Sequence, residues 1–192
     1  MKLINNVTET LKDDLSVEIH EGSKLSIAAA CFSIYAFQEL KKQLTSIDEL
    51  RFIFTAPTFV TEKAKKEKRE FYIPRLNRER NLYGTEFEIK LRNELTQKAI
   101  AKECADWIKE KVTFKSNISD KTIQGQLVVD SVGYTPINNF TTVELGCEKG
   151  NVISTTIVKD QSLAQTLIRD FDEIKNNKKV LQEVTDEVID SI

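Results

Sequence analysis

Imidazole, thiol, ammonium and carboxylate groups are where covalent and acid–base chemistry would begin. In this chain the first of them is almost missing. Among 192 residues there is one histidine, His20. One imidazole per chain excludes two-histidine zinc sites, the iron facial triad and paired-histidine phosphoryl transfer within a monomer. The three cysteines, Cys31, Cys104 and Cys147, are odd in number and widely spaced, with no Cys-x-x-Cys pair. They suggest neither a disulfide framework nor a zinc ribbon. Cys31 lies in the apolar run Ile27-Ala28-Ala29-Ala30-Cys31-Phe32, where a buried reduced thiol is expected. A nucleophilic cysteine needs an imidazole beside it, and His20 stands in a different sequence context from all three. Reduced thiols point to the cytoplasm.

Two other patterns bear on chemistry. Glu88-Ile89-Lys90 has the Glu-x-Lys spacing of metal-dependent nucleases, but its upstream acidic partner, Glu86, lies only two residues before it. Such triplets are common by chance in a chain that is 30% charged. The second pattern is a basic run. Residues 61–82 hold Lys63, Lys65, Lys66, Lys68, Arg69, Arg75, Arg78 and Arg80 against four acidic residues, a local net charge of +4 in a chain of net -2. Interleaved with Phe71 and Tyr72, this run has the composition to contact phosphates and stack on bases. The competing reading is a solvated helix with i,i+4 pairs such as Glu62–Lys66.

The elements that would position these residues follow from hydrophobic spacing. Leu3, Ile4, Val7 and Leu11 predict a helix within residues 2–20, ending in an extended piece. Lys24 to Cys31 reads as a buried strand. Ser33 caps a helix through Leu44, and Leu50 to Thr55 is the next strand. Strand, helix and strand in this space make a βαβ unit with parallel strands. Glu94 to Lys111 reads as a helix and Val112 to Lys115 as a strand. Thr122–Asp130, Phe140–Gly146 and Val152–Ile157 read as strands, separated by turns at residues 133–136 and 148–151. Asp160 caps an amphipathic helix, and Lys178 to Ile192 reads as a further helix. The expectation is an α/β domain with a mixed sheet of six or seven strands flanked by helices. It covers residues 1–177, with a basic helical insertion at about 61–94. The pattern over residues 178–192 stops without a helix-ending signal, which fits either a connector to the rest of a longer protein or a frayed terminus. At 40% hydrophobic the composition is that of a globular chain. Met1 to Asp14 lacks the apolar core of a signal peptide, and no run approaches a bilayer span.

One stretch carries a family resemblance. The order is Ile123-Gln124-Gly125-Gln126-Leu127-Val128-Val129, a turn, Asn138-Asn139-Phe140-Thr141, Val143-Glu144-Leu145-Gly146, a strand, and the helix Leu163 to Phe171. It resembles the second part of a phospholipase D superfamily domain: His-x-Lys on a strand, then Gly-Ser-x-Asn, then Glu. Lys24 to Leu44, with Cys31-Phe32-Ser33-Ile34-Tyr35-Ala36-Phe37 at its centre, is similar to the first βαβ unit of the phospholipase D-like modules that precede superfamily 2 helicase cores. The resemblance spans about residues 20–178. In the family one His attacks phosphorus, a second protonates the leaving group, and Lys and Asn stabilise the phosphoryl oxygens. The matching positions here are Gln124, Gln126, Asn139 and Glu144. Gln is neither a nucleophile nor a proton shuttle, and Pro136-Ile137 or Ile137-Asn138 replaces Gly-Ser. His20 precedes the first core strand, with Gly22 where the family has Lys.

The resemblance therefore implies a non-catalytic or weakly catalytic module. It would position nucleic acid or mediate assembly in a helicase-like DNA-processing protein whose full chain is an ATP-dependent enzyme. DNA and the rest of that chain are the implied partners, and no metal, cofactor or membrane is implied. An active metal-independent phosphodiesterase and a homodimeric scaffold, built from half-sites paired across a two-fold, are the alternatives.

Overall fold

The computed structural model describes residues 1–57, 94–148 and 155–192. Eight strands among them form one mixed sheet in the order β1-β7-β6-β5-β2-β3-β4-β8. Its centre is β2 (Lys24–Ala29), parallel to β3 (Glu49–Phe54) on one side and antiparallel to β5 (Gln126–Val129) on the other. β4 (Val112–Asn117) runs parallel to β3. Beyond Lys24 both faces of β2 are buried, one apolar and the other carrying Ser26, whose hydroxyl accepts from Arg51 at 2.9 Å. Leu25, Ile27 and Ala29 enter the main core, while Ala28 joins a second cluster with Ile53 and Phe171.

The α/β class and the flanking helices are as the sequence predicts. α2 (Ile34–Glu39) and α3 (Lys41–Leu44) link β2 to β3, and Ser33 accepts the Tyr35 N–H as N-cap. α4 (Glu94–Lys111) leads into β4. Its Trp107 lies 4.8 Å from the Phe37 ring and donates to the Leu44 carbonyl at 2.8 Å. Phe32 is the hub of this core, with Phe52, Phe114 and Phe140 within 5.2–5.7 Å. On the other face α5 (Gln161–Lys175), capped by Asp160, packs against β5 and β6 (Val132–Thr135).

Four local expectations need correction. Residues 2–20 are not one helix: β1 (Lys2–Ile4) pairs with β7 (Ile157–Asp160), and α1 spans only Leu11–Glu18. Asn5 Oδ1 accepts the Val7 and Thr8 N–H groups, and Asn6 sits at φ 58°, so a side-chain-bonded turn outcompetes the helix. Residues 133–136, expected as a turn, supply β6. Phe140–Gly146, expected as a strand, makes one bridge to Phe32 and then turns, closed by Leu145 N to Thr141 O and by Gly146 at φ +78°. Residues 178–192 are not one helix: β8 (Leu181–Glu183) pairs with the outer edge of β4, and α6 (Thr185–Ser191) follows. The exposed edge groups of β4 need partners, and β8 meets them while Val184 and Val188 stay in the main core.

One charged group is built into this frame. Asp14 of α1 has a side chain only 3% exposed. It accepts from Lys2 Nζ at 2.7 Å and from the Tyr134 hydroxyl at 2.6 Å, and it pairs with Lys159 Nζ at 2.9 Å. It thus ties α1 to β1, β6 and β7. Burial alone would push its carboxyl up, but the bonds from Lys2, Tyr134 and Lys159 outweigh burial and hold it below the usual carboxylate range. A carboxyl lowered by folding stabilises above its unfolded pKa, and that stability is lost as pH falls through the folded value. Asp14→Asn is expected to cost about 2 kcal/mol near neutral pH. It should also flatten the loss of stability below the ordinary carboxylate pKa, as read by urea unfolding across pH. An unchanged acid limb would show that Asp14 does not set it.

Candidate functional site

Gln124, Gln126, Asn139 and Glu144 lie on the segments at the carboxyl edge of the parallel strands. Along this edge lie the start of β5, the ends of β2, β3 and β4, and the start of β8. β2 is where the strand order reverses, running through β3 and β4 on one side and through β5, β6 and β7 on the other. Open α/β sheets bind ligands outside the strand ends at such a point.

Two chain segments build the edge. The first is residues 118–125, which run from the end of β4 to the start of β5 across the ends of β3 and β2. Asn117 anchors it. Its Nδ2 donates to Thr55 O at 2.9 Å and to Lys121 O at 2.8 Å, and its Oδ1 accepts from Ser119 N at 2.9 Å and Ser119 Oγ at 2.7 Å. Every polar valence used here is buried with the residue. Ile123 packs on the second apolar cluster. Gly125 then meets residue 137 backbone to backbone. A Cβ at Gly125 would collide with the Ile137 carbonyl oxygen, so this position requires the absence of a side chain.

The second segment is the loop 136–147. It continues the hydrogen bonding of β2 past its end: Ala30 N to Asn138 O at 2.9 Å, Phe140 N to Cys31 O at 2.8 Å, and Ser33 N to Phe140 O at 2.9 Å. Asn6 Nδ2 donates to the Glu144 carbonyl at 2.7 Å, and Lys12 N to Leu145 O at 2.9 Å. The loop is held from both sides.

The four family-matched positions have different fates. Gln124 is exposed, two residues ahead of β5. Gln126 is the first residue of β5, buried opposite Ala28. Asn139 is half-buried in the loop. Glu144 turns its carboxylate back onto that loop: the Asn138 N–H donates to Oε1 at 2.9 Å, and the Asn139 N–H also donates to the carboxylate. Burial raises the Glu144 carboxyl above its usual range, and these two N–H groups only partly offset it. The structure thus brings Asn139 and Glu144 together through backbone rather than around a reacting atom. The Gln124–Gln126 pair is split between solvent and sheet.

His20 lies at the opposite end of the sheet and is exposed. Its Nδ1 is 2.9 Å from Glu18 O and 3.3 Å from Ser23 Oγ, and its Nε2 is 3.8 Å from Asp130. Ser23 Oγ donates to Asp130 at 2.8 Å, away from the imidazole, so this cluster ties the β5–β6 turn to the start of β2. The buried thiol of Cys104 is pushed up by desolvation, and Cys147 is pushed up to about 12 by burial first. Such thiols are not thiolate nucleophiles. No group of His, Cys, Asp and Glu among the described residues is arranged to hold a metal ion. The basic run from Lys63 to Arg80 and the Glu88-Ile89-Lys90 triplet lie outside the described residues. Pro57, the last described residue before them, follows β3 at this same edge.

Sequence reasoning missed Asn117, although a strand ending in Asn before Ile-Ser-Asp carries the signature of an Asx turn. It also missed Asn6, whose partner is 138 residues away and has no local signal. No protein-family model matches this chain, and no curated protein matches it either.

The loop geometry sets an expectation for Glu144. Glu144→Ala leaves two backbone N–H groups without their acceptor and should cost about 1–2 kcal/mol. Glu144→Gln should cost less, because its amide oxygen still accepts. A carboxyl raised by folding adds stability that is full below the unfolded pKa and lost as pH rises through the folded value, so Glu144→Gln should remove that decline. Chemical unfolding of both variants across pH checks this. Equal loss in the two variants would contradict the hydrogen-bonding role.

Proposed function

We propose that this chain is a phospholipase D-like module that has lost its phosphodiesterase nucleophile. It holds nucleic acid at the carboxyl edge of its parallel strands, as part of a longer, helicase-like DNA-processing protein. The observation that carries the first half is the use made of the family-matched residues. Gln124 and Gln126 offer no imidazole to attack phosphorus, and the Glu144 carboxylate is spent on the Asn138 and Asn139 N–H groups. What is left at the edge is amide and backbone polarity, which holds a ligand and does not cleave one.

Nucleic acid is favoured as that ligand by charge. The net +4 run at residues 61–82 follows directly on the segment that ends β3 at this edge. Phosphate contact by Lys and Arg gives affinity that depends on salt and little on sequence. Reduced thiols fit a cytoplasmic protein. No described helix is long and apolar enough to cross a membrane.

The test is binding of single- and double-stranded DNA over a range of salt, together with cleavage of the same DNAs without added metal. Binding should weaken steeply with salt, with no turnover above that of a Gln124→Ala variant. Absent or salt-insensitive binding would overturn the nucleic-acid reading. Metal-independent cleavage that Gln124→Ala abolishes would overturn the loss of catalysis.

A further inference from the structure

We infer that the corner where the end of β4 meets the start of β8 is a second contact for the phosphate backbone, made by Lys121, Lys178 and Lys179. This rests on the nucleic-acid reading above and names described residues that would serve it. The corner is rigid in its backbone. Leu181 pairs with Asn117, and Ile118 N donates to Val180 O at 2.8 Å. The turn 176–180 is closed by Val180 N and Leu181 N to Asn177 O at 3.0 and 2.9 Å, and by Lys179 N to Asn177 Oδ1 at 3.1 Å. Asn117 Nδ2 bonds both Lys121 O and Thr55 O, which fixes Lys121 beside the end of β3.

The charges at this corner are sorted. Lys115 Nζ donates to Lys175 O, covering a carbonyl at the C-terminal end of α5. Lys175 itself is 3.4 Å from Asp172, which also pairs with Arg51 at 2.8 Å. Lys121, Lys178 and Lys179 are exposed, and none is ion-paired with a described residue. Several other lysines are taken up by carboxylates, Lys12 by Glu39, Lys41 by Glu103, and Lys159 by Asp14 and Glu18, while Lys24, Lys42 and Lys102, elsewhere on the molecule, are exposed. The exposed acids on the elements of this corner are Asp120, next to Lys121, Glu183 in β8, and Asp172 and Glu173 near the end of α5. Three free ammonium groups on a preformed backbone complement a polyanion. Lys121 lies on the segment that carries exposed Gln124, whose amide suits phosphate or base edges. A phosphate strand would then cross the carboxyl edge from Gln124 toward β8.

The experiment compares K121A/K178A/K179A with the wild type and with K24A/K42A/K102A, a control set of exposed lysines elsewhere on the molecule that changes the net charge equally. Each protein is titrated with double- and single-stranded DNA across salt, after its folding is checked by thermal unfolding. The alanine triple should weaken binding by about 10- to 100-fold at low salt. It should also make the slope of log affinity against log salt shallower by about 2 to 3. The control should leave both within about twofold. If the wild type binds and the alanine triple matches it in affinity and slope, this corner is not a contact, while the nucleic-acid reading stands. A control that loses as much as the triple would mean diffuse charge rather than a corner. A wild type that binds neither DNA overturns both.

Discussion

The backbone of β2 does not stop hydrogen bonding where its strand ends, and the rest of the edge depends on this. Ala30, Cys31 and Ser33 keep exchanging bonds with Asn138 and Phe140. A buried backbone group without a partner is costly, so the loop after β6 is drawn under the end of the central strand. Phe140 then stacks on Phe32, and Ser33 is left positioned to cap α2. Glu144, Asn6 and Gly146 complete the same loop. Gly146 has no side chain because a Cβ there would press on Asn6 Oδ1. A catalytic scaffold would place a carboxylate beside a reacting phosphate; here it serves the loop.

On the proposed nucleic-acid reading, that arrangement separates stability from recognition. The interior of the edge is made of satisfied amides: Asn117, Asn6 and the backbone of 138–140. Its rim carries exposed Gln124 and lysines. The Asp14 network does comparable work at the far edge, where Lys2 and Lys159 are consumed in holding α1 to the sheet. Lysines locked in such pairs cannot meet a ligand, and lysines free of them can.

Much of the frame was legible in the sequence. The βαβ unit from Lys24 to Phe54 shows because the core-facing residues of its strands, Leu25, Ile27, Ala29, Leu50, Phe52 and Phe54, are apolar and Ser33 caps the helix between them. α4 shows over Glu94–Lys111, and α5 shows through its apolar spacing behind Asp160. Segments whose partners are distant were illegible. β1 and β8 are three residues each, too short for a period to register, and exist because β7 and β4 have open edges. Thr141-Thr142-Val143 has strand-forming residues, but the bonds from Leu145 N to Thr141 O and from Gly146 N to Val143 O close it into a turn. The sequence placed Gln124 and Gln126 on one strand, whereas Gln124 lies two residues ahead of β5. That Glu144 binds backbone was not legible, because the N–H groups it meets carry no sequence signature.

The most direct test of the central claim is an amide NMR titration of the folded chain with a short DNA duplex at low salt. The account predicts shifts concentrated at residues 118–125 and 177–180, with the His20–Lys24 and Asp130–Ser131 end of the sheet unmoved. Shifts centred on that opposite end, or none at all with the protein folded, would contradict it.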